Sequence, residues 1–255
     1  MKLQDLQGKY KDVMAFIVGA GPSLHFQDTT PLKDYVTFAI NSGILKQPEP
    51  DYFVADDWHV KVWSYFQRDL AQSKCIKLFY EKKLKGYTNH IQKDQIIWFD
   101  HKTWFDGQRF HKDGLVMTRK ASKPIIGART SSGSAIHLAH IMGCSPIVLL
   151  GSDCCYHGKK RYFWEFDGER RPEVLERVGE FNPLIKKDTK SGKFVDKHTV
   201  QFEAYWKQLA AQAKKQGITI INASGGILDA FPRMGLGEVL KKYGKRKKFN
   251  DTENT

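Results

Sequence analysis

Short apolar runs recur along the chain, separated by polar stretches punctuated with glycine. The runs are Val13–Val18, Thr37–Asn41, Tyr52–Ala55, Ile76–Tyr80, Ile96–Phe99, Pro146–Leu150 and Ile218–Asn222. They are apolar on successive residues and rich in β-branched and aromatic side chains, which predicts strands buried on both faces. Two stretches follow a helical pattern instead. Ser131–Met142 starts beside the cap candidates Thr130, Ser131 and Ser132 and stops at Gly143. Thr199–Gln216 carries Phe202, Tyr205, Trp206, Leu209 and Ala213 at helical spacing and stops at Gly217. Strands alternating with helices predict an α/β fold, a Rossmann-like and mostly parallel sheet with helices on both faces. Ligands of such sheets gather at the carboxyl ends of the strands.

One stretch breaks the alternation. Tyr156 to Lys197 is charged and aromatic, with Gly158, Gly168, Gly179 and Gly192 scattered through it. An interruption of that length predicts a lid, about 156–197, inside a single domain of residues 1–240. Residues 100–128 read as a second mobile segment. Residues 241–255 read as a basic, flexible tail.

Composition narrows the class. With 41% hydrophobic and 13% aromatic residues in 255, the chain can bury a sizeable core. It has neither the apolar run of a membrane span nor the apolar core of a secretory signal, and its four cysteines form no Cys-x-x-Cys pair. A cytoplasmic protein with reduced thiols is the expectation. The net charge of +13 is only partly due to the tail, where Lys241–Lys248 holds six basic residues of 41. The excess favours an anionic partner, such as a nucleotide, a glycan or a nucleic acid.

Polar residues cluster where strands are predicted to end. Gly19-Ala20-Gly21-Pro22-Ser23-Leu24 follows the first run. Its glycines would let a phosphate approach free backbone N–H groups, and Pro22 would stiffen the turn. Asn41 ends the second run and would bond a base or sugar. Asp56 and Asp57 end the third and would suit Mg²⁺ beside a phosphate. Asp153, in Gly151-Ser152-Asp153, would bind ribose or orient a neighbour. Arg129-Thr130-Ser131-Ser132-Gly133 opens the first helix, where free N–H groups and a guanidinium would favour an anion. His198, at the start of the last long helix, has the pKa range of a general base. Tyr156 and Tyr162 flank the start of the lid and would donate to a leaving phosphate or pack within the lid. His137 and His140, inside the first helix, read as packing or surface residues.

These blocks carry a resemblance. Phe16–Leu24, Ala39–Ser42, Pro50–Asp57 and Ser132–Asp153 resemble the 6-hydroxymethylpterin diphosphokinase-like, or MptE-like, family, which includes flagellin-modifying motility accessory factors. The same blocks are similar to bacterial CMP-sialic-acid transferases of the Campylobacter type. That similarity implies a GT-A-like variant of the Rossmann sheet. It also implies a nucleotide loop at Gly19–Ser23, with further donor contacts at Asn41, Arg129, Ser132, Gly133 and Asp153. Tyr156 and Tyr162 would act on the leaving phosphate, His198 as general base, and no metal would be needed. Ala20 stands where those transferases have asparagine, which leaves the donor base open. The diphosphokinase branch instead implies ATP, with Mg²⁺ on Asp56 and Asp57.

The expectation is a nucleotide-dependent transferase. A glycosyltransferase is favoured, moving a sugar from a nucleotide-sugar donor to an acceptor hydroxyl on a glycan or on hydroxymethylated DNA. The alternatives are a Mg²⁺-dependent diphosphokinase acting on a pterin-like alcohol and a non-catalytic nucleotide- or nucleic-acid-binding module.

Overall fold

The computed structural model describes residues 1–47, 49–103, 105–106, 109–110, 117–127, 130–168, 171–175, 186–195 and 197–244. In chain order the strands begin with β1 (Ala15–Val18), β2 (Val36–Ile40), β3 (Tyr52–Ala55), β4 (Ile76–Tyr80) and β5 (Ile96–Phe99). Short strands follow: β6 (His101–Thr103), β7 (Phe105–Asp106), β8 (Arg109–Phe110) and β9 (Ile125–Gly127). Then come β10 (Ile147–Leu150), the hairpin β11 (Lys186–Lys187) and β12 (Phe194–Val195), and β13 (Ile220–Asn222). The helices are α1 (Ser64–Gln67), α2 (Asp69–Gln72), α3 (Glu81–Leu84), α4 (Ser131–Ile141), α5 (Lys197–Lys215) and α6 (Leu236–Tyr243).

Seven strands form one parallel sheet in the order β13-β10-β1-β2-β3-β4-β5. All seven predicted runs are in it. The run expected at Thr37–Asn41 lies one residue earlier, because Asn41 turns to a φ of +51° and leaves the strand. Alternate residues feed opposite faces. Ala15, Ile17, Phe38, Val54, Ile147 and Leu149 pack under α4 and α5. Phe16, Val18, Val148, Leu150 and Ile221 pack against Leu24, Tyr35, Trp164 and Val239 on the other face. Further along that face Phe53, Ala55 and Phe79 meet Tyr65, Phe66 and Leu70. Both faces are therefore covered, as continuous apolar runs require. No helix among the described residues is long and apolar enough to cross a membrane. The four cysteines are free thiols.

α4 is buried along its whole length. The described part of 100–128 covers it. β6 pairs with β9 in parallel, and His137 of α4 ties this layer down. Its Nδ1 accepts from Ile126 N–H at 2.8 Å, so the neutral ring carries its proton on Nε2, 2.9 Å from the Thr118 carbonyl it donates to. The expected mobile segment is thus anchored over residues 117–127.

Burial holds the His137 pKa down at about 4, and burial does the same to His140. Unfolded histidines take up protons near pH 6.5, so the unfolded chain binds more protons than the native one between pH 6.5 and about 4. Stability is expected to be full above pH 6.5 and to fall as the pH drops toward 4. His137→Gln should melt lower at pH 7 yet show a shallower decline on acidification. An unchanged slope of melting temperature against pH would count against this assignment.

Candidate functional site

The strand order reverses between β1 and β10, where an open α/β sheet usually has its crevice. Here backbone hydrogen bonds join the loops on its two sides. Gly19 N–H donates to the Leu150 carbonyl at 2.8 Å and Gly21 N–H to the Gly151 carbonyl at 2.8 Å. Ser23 N–H donates to Asp153 Oδ2 at 3.2 Å. A Cβ on Gly19 would lie 2.5 Å from the Gly151 carbonyl oxygen. The glycines therefore serve the close approach of two loops, and the N–H groups of Gly19, Gly21 and Ser23, expected to be free for a phosphate, are engaged. Pro22 starts a 3-10 turn, Pro22–Phe26, in which Pro22 and Leu24 are buried. Asp153 is buried beside this turn. Burial raises its pKa, and the Ser23 contact works the other way.

The open cleft lies to one side, at the carboxyl ends of β2 and β3. It has a volume of about 340 Å³ and is lined by Asn41, Asp56, Asp57, Ser132 and Tyr162 among the expected residues. Asn41 Oδ1 is buried and has no hydrogen-bond partner among the described residues. With the residue's left-handed backbone, that places an unsatisfied acceptor on a strained turn. Thr130 caps α4 by accepting from Gly133 N–H at 3.1 Å, which spends the Gly133 donor. Ser131 and Ser132, in the same first turn, line the cleft. A helix start of this kind favours anions through its unspent N–H groups and its dipole.

Asp56 and Asp57 face different partners. Asp56 Oδ1 accepts from Ser131 Oγ at 2.6 Å, and Oδ2 accepts from Ser134 Oγ at 2.7 Å. His101 Nε2 lies 3.8 Å from Oδ2, with both side chains 8% exposed. Burial lowers the His101 pKa, while Asp56 and Asp100 pull it up. Asp57 is exposed and caps the turn Trp58–Val62 by accepting from His59 N–H at 3.1 Å. Among the described residues no group of three or more His, Cys, Asp or Glu side chains could hold a metal. Both aspartates line the cleft, and Asp57 is the exposed one of the two.

The other wall comes from the predicted lid. Phe163 N–H donates to the Ala20 carbonyl at 3.1 Å, and Trp164 Nε1 donates to Ser42 Oγ at 3.0 Å. Tyr162 stacks on Trp164 at 4.9 Å and 17° between planes. Arg161 stands over the Tyr162 ring at 5.3 Å. Trp63 and Tyr65 complete the aromatic lining. Further on, Ser64 N–H donates to the Glu173 carbonyl at 2.9 Å, and Tyr156 N–H donates to the Phe194 carbonyl at 2.8 Å. The lid is thus stitched to the body at Phe163, Trp164 and Glu173, and to itself between Tyr156 and Phe194. Tyr156 is buried and is not part of the cleft lining. Arg129 lies outside the described residues, as do the His198 side chain and the tail beyond 244. The backbone of His198 is in the first turn of α5. The wall residues Arg161, Trp63 and Trp164 gave no sequence signal, apart from the position of Arg161 beside Tyr162.

A profile of the family described as 6-hydroxymethylpterin diphosphokinase MptE-like matches residues 1–159. The chain belongs to the MptE-like family. The match covers the glycine turn, Asn41, Asp56, Asp57 and the start of α4, and ends before Arg161, Tyr162 and α5. Membership in the MptE-like family implies an enzyme of the transferase or kinase kind. No curated protein and no solved structure matched the chain.

Proposed function

We propose that the chain is a nucleotide-dependent transferase, that the cleft beside β2 and β3 holds the phosphate end of its donor, and that the group transferred is a sugar. The supporting observation is the convergence, in one cleft of about 340 Å³, of the buried partnerless Asn41 Oδ1, the first turn of α4 and the Tyr162 phenol. Ser131 and Ser132 would bind phosphate at the helix start. Asn41 Oδ1 would accept from a sugar hydroxyl. The acceptor oxygen would attack the anomeric carbon as the bond from that carbon to the phosphate oxygen breaks and leaves its electrons on the phosphate. Tyr162 would donate to that oxygen, with Arg161 offsetting its charge. The acceptor proton would pass to a base, the role that the sequence assigns to His198. A net charge of +13 suits an anionic acceptor, glycan or hydroxymethylated DNA.

A diphosphokinase is the second reading, favoured by the family match and by the exposed Asp57 carboxylate. There Asp57 would hold Mg²⁺, which when bound neutralises the charge of transferring phosphates.

Thermal unfolding with CMP, UDP, GDP and ATP, with and without Mg²⁺, tests the shared claim. At least one should raise the melting temperature by mass action, and none doing so at millimolar concentration would end the nucleotide reading. Sugar transfer surviving EDTA supports the first reading. Transfer from ATP to a pterin-like alcohol that EDTA abolishes supports the second. In the first, Tyr162→Phe should lower kcat by about a hundredfold with little change in KM, the loss expected for a donor to a leaving oxygen. An unchanged kcat would remove Tyr162 from the reaction.

A further inference from the structure

The 3-10 turn Pro22–Phe26 ends on the most exposed large apolar side chain among the described residues, Phe26, at 64%. One exposed phenylalanine needs no explanation. Phe26, however, stands in a group of four rings drawn from two separate segments. His25 and Phe26 come from the turn after β1, and His157 and Phe166 from the start of the lid. His25 stacks on Phe166 with ring centroids 4.7 Å apart and 14° between planes. Phe26 meets Phe166 edge-on at 5.3 Å and His157 at 5.6 Å. His157 meets Phe166 at 5.5 Å. His157 is exposed like Phe26, and His25 and Phe166 are half-buried, so the rings form a patch on the surface. The patch is separate from the cleft. Tyr162 and Trp164 of the same lid segment line that cleft, and these four rings do not.

The charges beside the rings narrow the partner. Lys159, Lys160 and Arg161 lie between His157 and Phe166 in the sequence. Lys160 Nζ stands 4.8 Å over the Phe166 ring, and Lys159 is exposed. Asp28, Glu165 and Asp167 are the carboxylates of these two segments. Glu165 accepts from the N–H groups of Arg161 and Tyr162, and Asp28 accepts from Thr30 N–H at 2.9 Å. A protein surface that covered the rings would have to desolvate the lysines. A neutral glycan would leave them without a counter-charge. Unpaired nucleotides answer both features at once, since each offers a flat base and a phosphate.

We propose that this patch binds single-stranded nucleic acid, with bases stacked on Phe26 and its neighbouring rings and phosphates beside Lys159 and Lys160. A duplex does not suit it, because paired bases are already stacked on one another. The net charge of +13 adds a general attraction for the strand. The proposal goes beyond the transferase reading and needs no reaction in the cleft.

Fluorescence anisotropy of labelled oligothymidine and oligouridine, each of about 20 nucleotides, titrated with the whole chain tests it. Both should bind at about 50 mM salt and weaken as salt rises. Phe26→Ala, at an exposed position, should leave the melting temperature unchanged and weaken both strands about tenfold. Lys159→Gln should weaken them less and reduce the slope of log affinity against log salt by about 0.7. Equal binding by the parent and Phe26→Ala would overturn the proposal, since the strand would then be held by charge alone. A duplex of the same length that binds as tightly as the single strands would also overturn it. Heparin, an acidic polysaccharide, should compete through its charge but bind Phe26→Ala as well as the parent. A tenfold loss of heparin binding would make the patch a glycan site instead. Absence of strand binding at low salt would remove the proposal outright. None of these outcomes bears on the cleft, which the melting shifts with mononucleotides decide separately.

Discussion

Gly21→Ala is expected to destabilise the fold by about 4 kcal/mol, near the upper end for a single substitution. A Cβ at this position would lie 2.0 Å from Asp153 Oδ2 and 2.6 Å from the Gly151 carbonyl oxygen. Neither can move aside cheaply. The Asp153 carboxylate is buried and takes the Ser23 N–H at 3.2 Å. The Gly151 carbonyl takes the Gly21 N–H itself at 2.8 Å. Relief would require the turn to peel away from β10, exposing an unpaired carboxylate and carbonyl. For a chain of this size a loss of about 4 kcal/mol lowers the melting temperature by roughly 10 °C. Gly86→Ala is the control, since a Cβ there meets nothing within 4 Å. It should stay within about 0.5 kcal/mol of the parent. If the two variants melt together, the two loops do not form the tight junction described.

That junction shows where the sequence was readable and where it was not. Strands buried on both faces leave continuous apolar runs, so the sheet could be read from Val13–Val18, Tyr52–Ala55 and the others. The turn after β1 could also be read as a turn. Its purpose could not, because Gly-x-Gly serves equally to admit a phosphate and to admit another backbone. Only the partner decides, and the partner is Gly151, just after a strand far along the chain. The cleft was half legible for the same reason. Asn41, Asp57 and Ser132 sit at element ends, where α/β folds place ligand contacts. Trp164 reaches Ser42 across 122 residues, and Asp56 reaches Ser131 across 75, and no local pattern encodes pairings at such separations. Asp56 was read as a metal ligand because carboxylates at strand ends often are. The serines it binds sit in a helix whose own cap was recognised, but nothing in a linear sequence aims them at that carboxylate.

Asp56→Ala follows from that pairing, and its expected cost is about 4 kcal/mol of stability. The carboxylate joins β3 to α4 through Ser131 at 2.6 Å and Ser134 at 2.7 Å. Hydrogen bonds to a charged group contribute about 1.5–3 kcal/mol each, and both hydroxyls belong to residues buried in the parent. Alanine would strand them, and α4 would lose the negative charge at its positive end. Asp56→Asn keeps the shape and one acceptor, and a serine hydroxyl can rotate to accept from the new amide, so a loss of about 1–2 kcal/mol is expected. Both variants should bind nucleotide more weakly than the parent at temperatures where they remain folded, by about tenfold for a misplaced helix start of this kind. The metal-ligand reading of Asp56 gives the opposite stability. A carboxylate kept for an ion is a liability without it, so alanine would then leave the ion-free protein as stable or more so. Thermal unfolding of both variants in EDTA separates the two. A parent that melts well above Asp56→Ala, with Asp56→Asn between them, makes Asp56 the peg that holds α4 against the sheet and sets one wall of the cleft.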